Sequence, residues 1–352
     1  MPDLSAVPNS GEAGELDETT PPEPKPRRRA KKSKKTSPKV ATDSSPASPP
    51  PTSPSEPVLP RWDEFIRTAS IAEIERRFSA DVKAIIADEK GIDEKYACVA
   101  ILEPYESIDQ FELDQIFAGL KQQNPMGEKD VLLFLLSPGG SIEPAYQISK
   151  LCKTAAKNRF VVCIPRQAKS AATLIALGAD EIHMGLLGHL GPIDPQVAGL
   201  PALGVSQALE TLATLVQKYP GSAPMFSKYL QGVVRIEQIG YYDRICASAV
   251  QYAERLLASK EKLPKAPSEI ARELVHEYKD HGFVIDLEEA IEHLGSDWIH
   301  LATAEVSAGE RLYRHFEMVN LYLGSYRSKR LWVAGSFESG VFILDRPNRQ
   351  QI

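Results

Sequence analysis

Cysteine is scarce in this chain, and what there is does not pair. The four cysteines, Cys98, Cys152, Cys163 and Cys246, are widely spaced and form no CxxC motif. That excludes a disulfide-stapled scaffold and a cysteine-rich zinc module, and it fits a reducing, cytoplasmic compartment. Cys98 and Cys163 lie in apolar runs, where a cysteine is usually a small core residue. No stretch of 18 apolar residues occurs, so no membrane-spanning helix is expected. The opening residues have neither a basic nor an apolar leader region, which argues against a secretory signal. Neither GxGxxG nor GxxxxGK[ST] is present, so no nucleotide-phosphate loop is supported. Charge of one sign is not in excess either. Across 352 residues, 41 Lys and Arg stand against 47 Asp and Glu, a net −6, which argues against a surface built throughout for nucleic acid.

Proline is unevenly spent. Fourteen of the 27 prolines fall within residues 1–60, among Ser, Thr and Ala and few aromatics. Such a segment cannot bury enough apolar surface to offset its ordering entropy, so a disordered tail is expected there. Its nine basic and eight acidic side chains make it +1, leaving −7 for the remainder. Its basic run, Lys25 to Lys35, is either a solvated linker or a contact for an acidic partner such as nucleic acid, acidic lipid or an import receptor.

From Arg61 onward the pattern is that of a folded domain. Ser70 followed by Glu73 has capping-box spacing ahead of helical periodicity. Ala97–Leu102, Val131–Leu136 and Arg159–Ile164 are short continuous apolar runs, read as buried strands, and Glu181–Met184 is a fourth. Between them, Ser107–Leu120, Glu143–Ala156 and Ser170–Leu177 read as helices; Ile108, Phe111, Ile116 and Phe117 are expected roughly on one face. Strands apolar on both faces, alternating with helices, imply an α/β fold with a mostly parallel sheet. After Gly204 the pattern turns helical, above all over Ile236–Lys260, and again over Leu287–Leu294.

Four segments have residue types suited to chemistry. Ser137-Pro-Gly139-Gly140-Ser141 breaks a buried strand sharply before a helix. Glycines there let backbone N–H groups approach a ligand, in the manner of an oxyanion hole; a plain strand-to-helix turn uses the same residues. Ser170 stands at a strand-to-helix junction followed by small residues, where its hydroxyl is accessible, although an ordinary N-cap serine sits there too. Asp194, between Pro192 and Pro195, lies in a rigid loop and is suited to orient a histidine or to cap a turn. His281-Gly282 lies in a loop before a helix and is a candidate base. His183 falls inside a short strand and is expected to pack; His189 is a fallback base.

In this order the segments resemble the Clp-type protease superfamily, which includes signal peptide peptidase A and, at the level of fold, the crotonases. The nearest resemblance is to the serine dehydrogenase proteinase branch. It is carried by the SPGGS turn, KSAATLIALGADEIHMG, LGPIDPQ and HGFVIDLEEAIEHLG, over roughly residues 95–300. It implies a Clp/crotonase-like ββα superhelical fold for residues 61–300, with a helical C-terminal half, and leaves 301–352 as a C-terminal extension and possible interface element. It also implies roles. Ser170 is the nucleophile, and the N–H groups of Gly139 and Ala171 form the oxyanion hole that Gly140 shapes. Ile193-Asp194 occupies the register where Clp-type proteases carry their histidine, so the usual Ser-His-Asp order is not met; the Ser, Asp, His order of this branch maps onto Ser170, Asp194 and His281. In signal peptide peptidases a lysine is the base, and Lys218 is the counterpart here, Lys169 being expected to point elsewhere on the turn.

The expected activity is that of a serine peptidase acting on a polypeptide through an acyl-enzyme, with no metal or organic cofactor. The alternatives are a catalytically inactive oligomeric scaffold and a crotonase-type acyl-CoA enzyme that would not need Ser170. Self-association into a homo-oligomer is expected from the superfold. Ile236–Lys260 and Arg330–Ala334 are the candidate interface elements, and the competing reading is that they only cover the sheet.

Overall fold

The computed structural model describes residues 61–197, 200–231 and 235–346, so the expectation for the proline-rich tail lies outside the described residues. Two helices, α1 (Trp62–Thr68) and α2 (Ile71–Asp88), come first. Ser70 caps α2 with the full capping box, Glu73 N–H to Ser70 Oγ at 3.3 Å and Ser70 N–H to Glu73 Oε2 at 2.7 Å, which satisfies two of the donors a helix start leaves orphaned. A single turn, α3 (Ile92–Lys95), leads into β1 (Tyr96–Leu102). There follow α4 (Gln110–Gln123), β2 (Asp130–Leu136), α5 (Ile142–Ala155), β3 (Phe160–Ile164), β4 (Gln167–Ala168), α6 (Ala171–Leu177), β5 (Glu181–Met184) and β6 (His189–Leu190). The chain continues through β7 (Gln196–Val197), β8 (Leu200–Pro201), α7 (Leu203–Lys218), α8 (Ala223–Leu230), α9 (Ile236–Leu257), α10 (Pro267–Arg272), a π-helical turn (Glu273–Glu277), α11 (Leu287–Leu294), β9 (Ile299–His300), α12 (Ala304–Arg327), β10 (Lys329–Ser336) and β11 (Val341–Asp345).

Seven strands form the main sheet in the order β11-β10-β1-β2-β3-β5-β9. From β1 to β9 the neighbours are parallel; β10 runs antiparallel to β1, and β11 to β10. Both faces are covered, and the alternation of side chains along β2 shows how. Val131, Leu133 and Leu135 enter the core shared with α4, α5, α6 and α9, whereas Leu132, Phe134 and Leu136 enter the core shared with α1, α2 and α12. This double burial is why the strands read as unbroken apolar runs.

The boundary expected near residue 300 is not a packing boundary. Ala308, Leu312, Phe316 and Val319 of α12 are buried in the second core. Gly309 faces the Cys163 thiol so closely that a Cβ there would collide with the sulfur. Arg330–Ala334, expected at a subunit interface, lies on β10 between β1 and β11, with Leu331, Val333 and Ala334 buried. Its charged and mixed composition hid a strand, because β10 is half of an antiparallel ribbon rather than a doubly apolar parallel strand. Of the candidate interface residues of α9, Cys246, Ala249, Ala253 and Leu256 are buried in the first core, so this face of the helix packs inward, on α6 and α10. The aromatic residues of α4 depart from expectation as well. Ile108 and Ile116 are buried, but Phe111 and Phe117 are exposed, and Phe111 packs on Trp332 of β10 with ring centroids 4.7 Å apart.

Candidate active site

All four cysteines are free and buried. The parallel strands β2 and β3 end on the same edge, and the turns that leave them make the site. Ser137 and Ala168 form an isolated parallel bridge: Ser137 N–H donates to Gln167 O at 3.0 Å, and Lys169 N–H to Ser137 O at 3.1 Å. These bonds place the glycine turn beside Ser170. Gly139 and Gly140 both have positive φ, 114° and 152°, a region open to glycine. The lack of side chains matters for space too. A Cβ on Gly139 would stand 2.7 Å from both Lys169 O and Ser170 Cβ, and one on Gly140 would collide with the Ile108 backbone. Ile108 holds the turn from its other side, donating N–H to Gly139 O (2.7 Å) and accepting from Ser141 N–H (2.8 Å).

Ser170 is the N-cap of α6, with φ 51° and ψ −119°. A non-glycine residue in this region is strained by roughly 1–3 kcal/mol and persists only where surrounding structure enforces it. Here the enforcement is visible. The seven residues of α6 are all buried. Thr173 Oγ1, one turn on, lies 2.7 Å from Ala168 O and 2.8 Å from Gly191 O, donates its one hydrogen between them, and accepts the Gly191 N–H (3.1 Å). The Ser170 side chain makes no capping bond, so its hydroxyl is not spent on α6.

Asp194 and His281 arrive from two further segments. Leu190 and Ile285 exchange backbone hydrogen bonds, and Ile193 N–H donates to Leu274 O at 2.8 Å within the π-helical turn. A π-helix frees carbonyls from the regular ladder, and Leu274 gives one of them to the loop that carries Asp194. The result is a hydrogen bond of 2.7 Å between His281 Nδ1 and Asp194 Oδ1. Asp194 is buried, and its second oxygen accepts from Gln196 Nε2 at 2.8 Å. The bond to Asp194 raises the pKa of His281 above the usual imidazole range, against partial burial and the nearby Lys169, both of which lower it. With Nδ1 committed to the carboxylate, Nε2 is the nitrogen left for a reacting group.

Ser170, His281, Gly139, Gly140, Pro195 and Gln196 line one cleft of about 660 Å³, walled on its far side by Tyr241 and Ile245 of α9. Among the described residues no hydrogen bond joins Ser170 Oγ to His281; catalytic hydrogen bonds are often long in a substrate-free site and tighten with substrate bound. The turn's donors divide differently from expectation. Gly139 N–H donates to Ser137 Oγ at 3.1 Å, whereas among the described residues Gly140 N–H meets no acceptor of the chain. Ala171 N–H, first in its helix, has no intrahelical partner by construction.

The remaining candidates stand apart. Lys218, at the exposed end of α7, lies 5.3 Å over the Tyr219 ring and does not line the cleft. His183 is buried, bonded to Thr303 Oγ1 (2.8 Å) and Glu181 Oε2 (3.1 Å), and burial depresses its pKa. His189 is half-buried, 3.4 Å from Leu187 O, and also depressed by burial. The residues that sequence reasoning passed over are Thr173 and Gln196. Both have ordinary spacing signals, and only the return of distant loops gives them partners. No group of three or more His, Cys, Asp or Glu side chains suited to a metal ion occurs among the described residues, and none of their helices is long and apolar enough to cross a membrane.

Comparison with known proteins agrees with the resemblance seen in the sequence. Residues 64–215 match the family described as ClpP-like SDH-type serine proteinase. Two uncharacterized proteins of Methanocaldococcus jannaschii are similar to parts of the chain. One is 42% identical over 84 residues, which is 24% of this chain and 29% of the relative. The other is 40% identical over 76 residues, 22% and 26% of the respective lengths. The chain thus spans under a third of the curated relatives it matches. Among solved structures it is similar to ClpP1 from Listeria monocytogenes, at 15% identity and a TM-score of 0.38, covering 64% of this chain and 97% of that one. It is also similar to the 1510-N membrane-bound stomatin-specific protease, at 15% identity and a TM-score of 0.38, covering 58% and 79%.

Proposed function

We propose that this relative of the ClpP-like serine proteinases is a serine peptidase, with Ser170 as nucleophile, His281 as general base and Asp194 as the group that orients it. The observation that carries the reading is the Asp194–His281 hydrogen bond within the cleft that Ser170 lines, across 87 residues of sequence. A serine hydroxyl is a poor nucleophile until a base takes its proton. In the reaction Ser170 Oγ bonds to the peptide carbonyl carbon as its proton passes to His281 Nε2. Asp194 stabilises the imidazolium that results. The carbonyl oxygen becomes an oxyanion, and the donors suited to it are the N–H groups of Gly140 and Ala171, with Gly139 shaping the turn through its bond to Ser137. The C–N bond then breaks, and Nε2 returns the proton to the leaving amine. Water repeats the sequence on the ester, with its proton taken by Nε2 and returned to Ser170 Oγ, which frees the acid product.

The strained backbone of Ser170 supports the same reading, since such strain concentrates at functional sites. Lys218 has no such support, lying outside the cleft. The test is labelling by a fluorophosphonate probe followed by peptide mapping, alongside turnover of a casein-derived peptide mixture. Covalent attachment at Ser170, lost in Ser170→Ala, is expected; an unreactive Ser170 with peptide turnover absent would overturn the proposal.

A further inference from the structure

The geometry points to Lys169 as a positioning residue that ties the nucleophile, the oxyanion turn and both base-carrying loops into one unit, an inference that rests on the peptidase reading. Four contacts converge on it. Its N–H donates to Ser137 O at 3.1 Å, at the start of the glycine turn. Its carbonyl lies where a Cβ on Gly139 would stand 2.7 Å away. Its side-chain stem runs over Gly191, where a Cβ would be 2.8 Å from Lys169 Cγ, so the glycine leaves room for the stem on the loop leading to Asp194. Its ammonium donates to Gly282 O at 2.9 Å, next to the base.

The chemistry suits a tether better than a proton carrier. The ammonium is fixed on a carbonyl of the neighbouring loop, and a lysine acting as base must instead give up its proton. Its charge has a second effect. It opposes the rise that Asp194 imposes on His281, holding the imidazole closer to the range where a base is neutral at ordinary pH. The other charged groups around His281 are Asp280, whose Oδ1 accepts the Gly282 N–H at 2.9 Å, and Glu143 across the cleft. Both are acids, whereas Lys169 is a cation acting on the imidazole.

Two variants of the full chain test the assignment. Lys169→Met keeps the stem over Gly191 and removes the ammonium; Lys169→Arg keeps a cation and a donor. The readouts are the titration of His281, followed by ¹³C-histidine NMR and assigned by its loss in His281→Gln, and the rate of fluorophosphonate attachment to Ser170. Lys169→Met is expected to raise the His281 midpoint and to slow labelling by about 10²-fold, the scale of a 1 Å misplacement of reacting groups. Lys169→Arg is expected to keep the midpoint and restore most of the rate. A His281 midpoint that stays put in Lys169→Met, or a labelling rate equal to that of the parent, would overturn the assignment. If Ser170 of the parent chain takes no label and peptide turnover is absent, the peptidase reading falls, and the titration alone then decides: a raised midpoint sustains the assignment and an unchanged one ends it.

Discussion

Leu190 and Ile285 exchange both of their backbone hydrogen bonds, Leu190 N–H to Ile285 O at 2.9 Å and Ile285 N–H to Leu190 O at 3.1 Å. This two-residue clasp joins the loop that carries Asp194 to the loop that carries His281. The carboxylate and imidazole therefore meet through backbone geometry and do not rely on their own hydrogen bond for proximity. Loss of either side chain should leave the loops in place, and this bears on how each variant is read.

Asp194→Ala and His281→Ala are each expected to lower kcat by on the order of 10⁴-fold, as in other triads, and the double variant by little more, because the groups act as one unit. Lys218→Ala is expected to keep the parent rate. Steady-state kinetics on a peptide substrate checks all four; a loss confined to Lys218→Ala would reassign the base.

The rate should rise with pH under the proposed mechanism, in which His281 is a base in its neutral form. Its folded pKa lies above the usual 6.5 because Asp194 holds the proton, so the midpoint of kcat/KM is expected above that value. The stability linkage has the opposite sense. The pair's contribution is fully present below the unfolded pKa and is lost as pH rises through the folded one. Denaturant titrations across this window should show Asp194→Asn flattening the slope.

Ser170→Gly and Ser170→Ala both remove the hydroxyl, yet they should differ in stability. Glycine accepts φ 51° without penalty, whereas alanine keeps the strain. Ser170→Gly is expected to be about 1 kcal/mol more stable than Ser170→Ala by chemical denaturation, with both devoid of labelling.

Gly140→Ala is expected to cost more than Gly139→Ala in stability, because its Cβ meets backbone at Ile108 that is fixed in a bridge. Overpacking of this kind typically costs 1–3 kcal/mol. Thermal unfolding ranks the two, and both should slow labelling of Ser170.

Arg330 is buried on β10 between Glu103 and Glu106, with its Nη1 3.5 Å from Glu103 Oε1. Glu103 is itself buried and its pKa is raised by that burial, against backbone donation from Tyr105. Arg330→Met strands the carboxylate and is expected to destabilise by about 3–5 kcal/mol, with part recovered in Arg330→Met/Glu103→Gln. Urea unfolding of the parent, Arg330→Met, Glu103→Gln and the double variant measures the recovery; full additivity would show that the groups are uncoupled.

Much of the sheet was legible in the sequence because its strands are buried on both faces, which leaves runs such as Val131–Leu136 with no competing pattern. The capping box at Ser70 and the helix Leu287–Leu294 were legible for the same local reasons. The C-terminal ribbon was not. Lys329 and Arg330 open β10 with charge, and the burial of Arg330 depends on acids more than 200 residues earlier. At the site, Ser170 and the two glycines announce themselves through local backbone demands. The meeting of Asp194 with His281 does not, since it depends on the Leu190–Ile285 clasp and on the carbonyl that the π-helical turn releases at Leu274. The division of donors between Gly139 and Gly140 depends on the rotamer of Ser137, to which no spacing rule speaks.

The position of β10 has a consequence in time. β1 lies between β2, the strand that follows it in the chain, and β10, made much later. While the chain is being synthesised, β1 keeps one open edge until residue 336 has emerged, and the loop beyond it, Glu103 to Ile108, lacks its anchor on Arg330. That loop grips Gly139 and Ser141. A nascent chain therefore carries Ser170 and the glycine turn well before β10 supplies the anchor of the loop that grips them. The order of synthesis thus delays the last support of the candidate site until β10 has emerged.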